Sequence, residues 1–379
     1  MHECWPLPIV VLAGRSAGAS VPLGRQSLVA RPPHPQSVLP WGTPYQYRRA
    51  TRLDKGGARC ETAGVRGYVL RRLAQGAVLL LVVSVVIFTI VHSAPGGPAL
   101  LVHPDMDPTR LKAMEKLLGL DDPIPVQYVR WAGHAVRGNF GTSYQHSLPT
   151  LELLWERIPN TLLLSGVALV VAVLLALPLG TISAVRRYSA LDYAATIAAF
   201  IGVSIPVFWL AILLIILFSV NLGWLPSSGM RTVGAPASAG DLLRHLVMPS
   251  LVLATFPLAQ LTRYVRSSMV DVLAQDYVRT ARAKGLSELS VLRRHALRNA
   301  LIPMVTVLGV LTPRLLGGAV ITETIFAWPG LGRLAVEAAI TRDYPVIMGA
   351  TLLVSGLVIV SNLITDLFYV VIDPRIDLR

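Results

Sequence analysis

The sequence predicts an all-α, polytopic membrane protein with six transmembrane helices. Three observations predict it: a composition poor in charge, apolar residues gathered into long runs, and basic residues placed beside those runs. Of 379 residues, 53% are hydrophobic and 15% charged, where a soluble domain carries about 25% charged residues. The mean hydropathy of +0.58 agrees. The formal charge of +13 would suit a nucleic-acid binder, but the basic residues flank apolar runs and do not form one soluble face.

A helix needs about 20 mostly apolar residues to cross the hydrocarbon core. Six stretches qualify: 73–93, 161–185, 193–220, 245–261, 301–322 and 346–371. The fourth is the weakest, because Pro249, Pro257 and Gln260 interrupt it. The third has room to tilt or to kink at Pro206. Prolines occur in spans two to five (Pro178, Pro206, Pro249, Pro257, Pro303, Pro313). Each frees a backbone carbonyl that lipid cannot satisfy, so these helices either pack in a bundle or line a watery pathway. Small residues such as Gly317, Gly318 and Ala319 allow close helix packing.

Lysine and arginine set the direction of insertion. With both termini cytoplasmic, the inside segments 66–72, 186–192, 263–300 and 372–379 hold fifteen basic residues, eight of them between Arg263 and Arg298. The two short outside loops carry only Arg231, Arg244, Arg333 and Arg342. In the long outside loop, 94–158, six basic residues are accompanied by seven acids.

Residues 1–65 contain eight prolines, seven glycines and eight Lys/Arg. The stretch 7–13 has no basic residues before it and is broken by Pro8, which makes a poor signal peptide. The segment is expected to be disordered. Because Val65-Arg-Gly-Tyr-Val-Leu-Arg-Arg-Leu reads like the start of a membrane protein, 1–64 is either a regulatory tail or a non-native extension. Both cysteines, Cys4 and Cys60, lie before residue 65, so the remainder has no disulfide, Cys-ligated zinc or thiol nucleophile.

Between spans four and five, apolar residues fall at Val270, Leu273, Ala274, Tyr277, Val278 and Ala281, which is helical spacing with one apolar stripe. Gly285 suits the left-handed position that ends a helix, and Ser287 suits the N-cap of a second helix running through Val291 and Leu292. On the residues alone, this pair of short helices reads as a basic hairpin on anionic lipid.

Tyr277-Val-Arg-Thr-Ala-Arg-Ala-Lys-Gly-Leu, followed by His295-Ala-Leu-Arg-Asn-Ala-Leu-Ile-Pro303, resembles the EAA loop of binding-protein-dependent ABC importer permeases, in the variant of the dipeptide, oligopeptide, glutathione and nickel group. The general motif has Glu-Ala-Ala where this chain has Arg279-Thr280-Ala281, a departure common in that group. The resemblance extends from about Val65 to the C-terminus. It takes in Leu118-Gly-Leu-Asp-Asp-Pro, Gly138-Asn-Phe-Gly-Thr-Ser, Val203-Ser-Ile-Pro-Val-Phe-Trp, Phe326-Ala-Trp-Pro-Gly-Leu-Gly-Arg, Asp343-Tyr-Pro and Asp373-Pro-Arg.

The resemblance implies a type I importer transmembrane fold and a loop that docks as a coupling helix in a groove of an ATPase subunit. The coupling residues would be Asp276, Tyr277, Arg279, Thr280, Ala281, Ala283, Lys284, Gly285 and Leu286, with the stripe Ala274, Tyr277, Val278 and Ala281 as the inserted face. It also implies a second homologous permease, two ABC ATPase subunits and an external substrate-binding protein. ATP and Mg would sit on the partner subunits, with no cofactor or metal on this chain and no nucleic acid partner. ATP binding would draw the coupling helices together and turn the pore outward, and hydrolysis would return it.

The chain's own residues agree that energy comes from elsewhere. A phosphate-cradling loop needs Gly-Lys-Ser/Thr, and none of the four lysines (Lys55, Lys112, Lys116, Lys284) follows a glycine. No His-Glu-x-x-His or Gly-x-Ser-x-Gly motif suggests a membrane enzyme, and no catalytic residue is predicted. The rival readings are a proton-coupled secondary transporter, which would place ionisable groups inside the membrane, and a passive channel. Ionisable groups inside or at the ends of spans are few: Arg314, Glu323 and Asp366. Arg314, Pro206 and Glu323 are the candidate pathway residues, and pairing of Arg314 with Asp366 or with a backbone carbonyl is the structural alternative. The predicted organisation is an extension 1–65, a first span with external region 66–158, a core transmembrane domain 159–372 containing the loop 263–300, and a cytoplasmic tail 373–379.

Overall fold

A computed structural model describes residues 57–95, 116, 119, 121–236 and 238–372. Among them the only strand-like pairing is an isolated bridge between Thr142 and Pro149, and the rest is helix and connecting loop. The expectations for 1–56 and for the tail 373–379 lie outside the described residues.

The first helix, α1 (Gly57–Ser93), starts earlier than expected. Disorder up to residue 65 is therefore corrected at its end: the run Ala58-Arg-Cys-Glu-Thr-Ala contains no breaker, and the helix of the span simply continues back through it. After it come α2 (Ile124–Ala135), α3 (Thr150–Val185), α4 (Ala190–Ser204) and α5 (Val207–Leu214), the last continuing as a π-helical turn over Ile215–Asn221. Next are α6 (Ala239–Leu273) and α7 (Asp276–Ala283). A short turn, Glu288–Ser290, and a π-helical stretch, Val291–Leu297, lead into α8 (Arg298–Ile325), followed by α9 (Leu331–Thr341) and α10 (Tyr344–Ile372).

Among the described residues four helices are long and apolar enough to cross a membrane alone, and the total rises to as many as six if each of two bent pairs forms one span. The third span is the larger departure. It is two arms, Ala190–Ser204 and Val207–Asn221, meeting at 107°. Each arm is 15 residues, about 22 Å of helix at most, too short to cross alone. The sequence reason is local. Pro206 has no N–H to donate, and Ile205 before it is held extended (φ −73°, ψ 126°) by the clash that a following proline imposes. The fifth span bends by 61° between Leu301 and Thr306, around Pro303.

The weakest span in the sequence is the centre of the structure. In α6, 56% of the most apolar window is buried within the chain, against 17% in α10. A helix wrapped by protein does not need a lipid-compatible surface, which is why prolines and polar residues are tolerated there. On α3, Leu164, Ala168, Ala172 and Ala176 recur every four residues and are fully buried against Leu253, Leu261, Val265 and Met269 of α6 and Leu311 and Leu315 of α8. The small side chains let α3 and α6 come close.

The far end of α1 is covered by α2, whose Tyr128 hydroxyl lies 2.8 Å from the Ser84 hydroxyl; Trp131 packs on Phe88. Within the region 94–158, α2 therefore packs along the C-terminal half of α1. At the other face, Arg72 of α1 pairs with Asp366 of α10 at 3.1 Å. The start of the first span and the end of the last therefore lie on the same face, the one that also carries α7.

Candidate coupling loop, translocation face and outer anchor

The segment 274–297 folds as the hairpin its spacing predicts. α7 ends at Ala283, and Gly285 takes φ +78°, a left-handed conformation that costs any residue with a Cβ about 1–2 kcal/mol. Ser287 occupies the N-cap position, but its side chain makes no capping bond. Arg282 and Glu288 close the hairpin at 2.8 Å.

The exposed face of α7 differs from the expected one. Val278 and Ala281 are buried against Val291, with Val272 and Leu273 at the edge. Two of the four stripe residues, Val278 and Ala281, are thus spent on the chain's own hairpin, while Ala274 and Tyr277 stay exposed. Helical geometry then turns Asp276, Arg279, Thr280 and Ala283 outward, joined by Lys284, Gly285 and Leu286. Tyr277 is half-exposed and its hydroxyl accepts from the Asn299 amide at 2.9 Å, which ties the loop to the root of α8. Arg279 and Asp276 are near each other on this face, 3.6 Å apart. The surface on offer is mixed: Arg279, Lys284 and Asp276 beside the exposed Tyr277, Leu286 and Leu289.

On α8 the exposed residues recur as Pro303, Thr306, Val310, Arg314, Gly317 and Ile321. That is one continuous face, because steps of three and four residues stay on one side of a helix. Arg314 stands in its middle with no ion-pair or hydrogen-bond partner among the described residues. Its expected alternative partner, Asp366, is taken by Arg72, so the Arg314–Asp366 pairing is overturned. Pro206 is exposed at the bend of the third span.

Glu323 has a different place. It is fully buried, and its carboxylate accepts from the Thr161 hydroxyl at 2.7 Å and from the Arg333 backbone N–H at 3.0 Å. Thr161 in turn accepts from the Leu331 N–H at 2.8 Å. The carboxylate is therefore the acceptor that the unpaired donors at the start of α9 require. A Cβ on Gly330 would overlap it, and a Cβ on Gly332 would come within 2.6 Å of the Val320 backbone. Trp328, also fully buried, donates its indole N–H to the Asn160 carbonyl at 3.0 Å, and the Asn160 amide donates to Pro329 at 2.7 Å. The Trp-Pro-Gly-Leu-Gly segment is an anchor binding α9 to α3, and Glu323 is part of it and lines no open surface.

Two further motif segments meet nearby. Ser143, from Gly138-Asn-Phe-Gly-Thr-Ser, donates to the Asp343 carboxylate at 2.5 Å, and the Gln145 N–H adds a bond at 3.2 Å. Burial, followed by the nearby Asp343 charge, pushes the Tyr144 phenol up to about 12. Sequence reasoning missed Asn160 and Thr161 altogether. The only available signal was a polar pair after Pro159 in an apolar run.

The chain is similar in sequence to known proteins over most of its length. Residues 176–378 match the family model described as "Binding-protein-dependent transport system inner membrane component", and residues 65–165 match its N-terminal companion. The oligopeptide transport system permease protein AppB of Bacillus subtilis (strain 168) is 46% identical over 312 residues, covering 82% of this chain and 99% of that protein. The dipeptide transport system permease protein DppB of Alkalihalophilus pseudofirmus is 38% identical over 328 residues, covering 82% and 98%. Among solved structures, a chain of the inward-facing methionine ABC transporter MetNI has a TM-score of 0.49 at 20% identity, covering 59% of this chain and 97% of that one. The chain belongs to the family of binding-protein-dependent transport system inner membrane components and is a multi-pass permease subunit of an ATP-driven importer.

Proposed function

We propose that the chain forms half of a translocation pathway for peptides or a related small solute, and that the hairpin 274–297 receives the force of ATP hydrolysed on partner subunits. The observation that carries this reading is the coupling-loop geometry. An eight-residue helix lies between α6 and α8, with Val278 and Ala281 packed on Val291 and with Asp276, Arg279, Thr280 and Ala283 exposed. A lipid-surface hairpin would present its apolar side outward. Two ATPase subunits carrying ATP and Mg, a second homologous permease and an external binding protein complete the assembly. The basic inside segments put both termini in the cytoplasm. Solute choice within the dipeptide, oligopeptide, glutathione and nickel group rests with the binding protein.

The proton-coupled reading loses its acids. Glu323 is committed to α9 and Asp366 to Arg72, which leaves no relay of free carboxylates among the described spans. The pathway is assigned to the exposed face of α8 around Arg314 and to the bend at Pro206. A charge at the bilayer centre costs about 2.5–3.5 kcal/mol on insertion scales, so an exposed Arg314 faces water or protein in the assembly. In complete transporter reconstituted in proteoliposomes, Arg314→Gln should lower uptake roughly tenfold, about 1.4 kcal/mol, with all subunits retained. Loss of the second permease in detergent would instead make Arg314 a subunit contact.

The docking surface has its own test. Ala283→Glu should leave the chain's stability unchanged but release the ATPase subunits. Wild-type retention and uptake would remove this face from the interface.

A further inference from the structure

The elbow between α3 and α4 carries an ion pair, its carboxylate buried and its guanidinium part-buried, that the coupling-loop motif does not account for. Asp192, in the first turn of α4, is 3% exposed. Its carboxylate accepts from Arg266 of α6 through Nε at 2.6 Å and Nη2 at 2.7 Å. It also accepts from the Tyr188 backbone N–H at 3.0 Å and from the Ser183 hydroxyl. The end of α3, the connecting turn, the start of α4 and the shaft of α6 thus converge on one carboxylate. A two-pronged guanidinium contact fixes angle as well as distance. At the neighbouring residue of α6, Val265, the helices are in close contact: a Cβ on Gly180 would lie 2.7 Å from the Val265 side chain and 2.9 Å from the Thr262 carbonyl. Steric contact and charge contact therefore lie on consecutive residues, and α3 cannot slide along α6 at this level.

The position matters because α6 leads directly to the hairpin. It ends at Leu273 and α7 begins at Asp276, so only Ala274 and Gln275 separate them. We propose that Asp192 and Arg266 are positioning residues of the transport cycle: their pair locks the α3–α4 elbow to α6, so that displacement of the hairpin reaches the bent third span as one rigid movement. This rests on the reading of 274–297 as the coupling loop. Buried ion pairs are poor sources of net stability and good sources of defined geometry when fully hydrogen-bonded, which fits a part that transmits motion. A purely structural staple would hold the fold without affecting the ratio of transport to hydrolysis.

The test uses the complete transporter in proteoliposomes, with Cys4 and Cys60 replaced by serine. Spin labels at the exposed Arg187 and Gln275 report the elbow-to-hairpin distance. In the otherwise wild-type chain it should be the same in the nucleotide-free and ATP-trapped states, and Arg266→Gln should make it differ between them. Asp192→Asn and Arg266→Gln should also lower solute imported per ATP hydrolysed by roughly tenfold, within the usual span of coupling energies, with the ATPase subunits still attached. Arg266→Lys, which keeps the charge and loses the fork, should fall between. A state-dependent distance in the wild-type chain overturns the proposal even if a variant fails to assemble, and so does an unchanged transport-to-hydrolysis ratio in both variants. If Ala283→Glu also transports normally, the coupling-loop reading fails and takes the lock with it. If Ala283→Glu fails while the lock variants stay coupled, the lock alone is wrong.

Discussion

Ala281→Glu abolishes uptake while leaving the chain in the membrane: this is the expected result with the largest effect. Ala281 is 5% exposed and packs with Val278 and Val291. A carboxylate there enters an apolar cluster of Val272, Leu273, Val278 and Val291, and the adjacent Arg282 is engaged by Glu288. An unpaired buried charge costs on the order of several kcal/mol, more than a two-turn helix and one closing ion pair can supply. The hairpin opens, the outward face of α7 loses its shape, and both uptake and substrate-stimulated hydrolysis fall a hundredfold or more. No span is touched, so membrane insertion is unchanged. Limited proteolysis should cut between 274 and 290 in the variant and spare the wild type. Wild-type uptake would mean that the hairpin need not be folded for transport.

Glu323→Ala ranks next. It removes the acceptor of the Thr161 hydroxyl and the Arg333 N–H and leaves a void beside Gly330. A charged acceptor lost from a buried site costs about 1–3 kcal/mol for each stranded donor, so the outer anchor should lose several kcal/mol. The expected outcome is a lower melting temperature of the purified subunit assembly and faster proteolysis between α8 and α9. Glu323→Gln should lose less, since its carbonyl can still receive Thr161 while its amide faces the Arg333 donor. A pathway residue would behave differently, with uptake falling at unchanged stability for both variants.

Much of the fold was legible because apolar run length and proline position are local properties. The four long spans, the two bent pairs, the hairpin and the left-handed Gly285 follow from such patterns. What the patterns omit is the identity of the neighbour. The stripe through Val278 and Ala281 announces burial equally well against a partner or against Val291, and the latter holds. Glu323 and Asp366 look like stray acids in apolar runs because their partners, Thr161 and Arg72, lie far away in the chain. Asp192 and Arg266 are separated by 74 positions, and both read as ordinary loop-side charges. Pro206 signals a break, but the 107° angle depends on how α4 and α5 pack around α6 and α8. Arg314 was readable as an oddity; that it stands on an exposed face with no partner among the described residues was not.

The central claim is that this permease is driven through the outward face of α7. The most direct measurement is crosslinking in the assembled, cysteine-replaced transporter, with single cysteines at Arg279, Ala283 and Val278. Arg279→Cys and Ala283→Cys should each link to an ATPase subunit, with a yield that changes between the nucleotide-free and ATP-trapped states, and Val278→Cys should not link. An active transporter in which neither Arg279→Cys nor Ala283→Cys links, or in which Val278→Cys links as well as they do, would contradict the account.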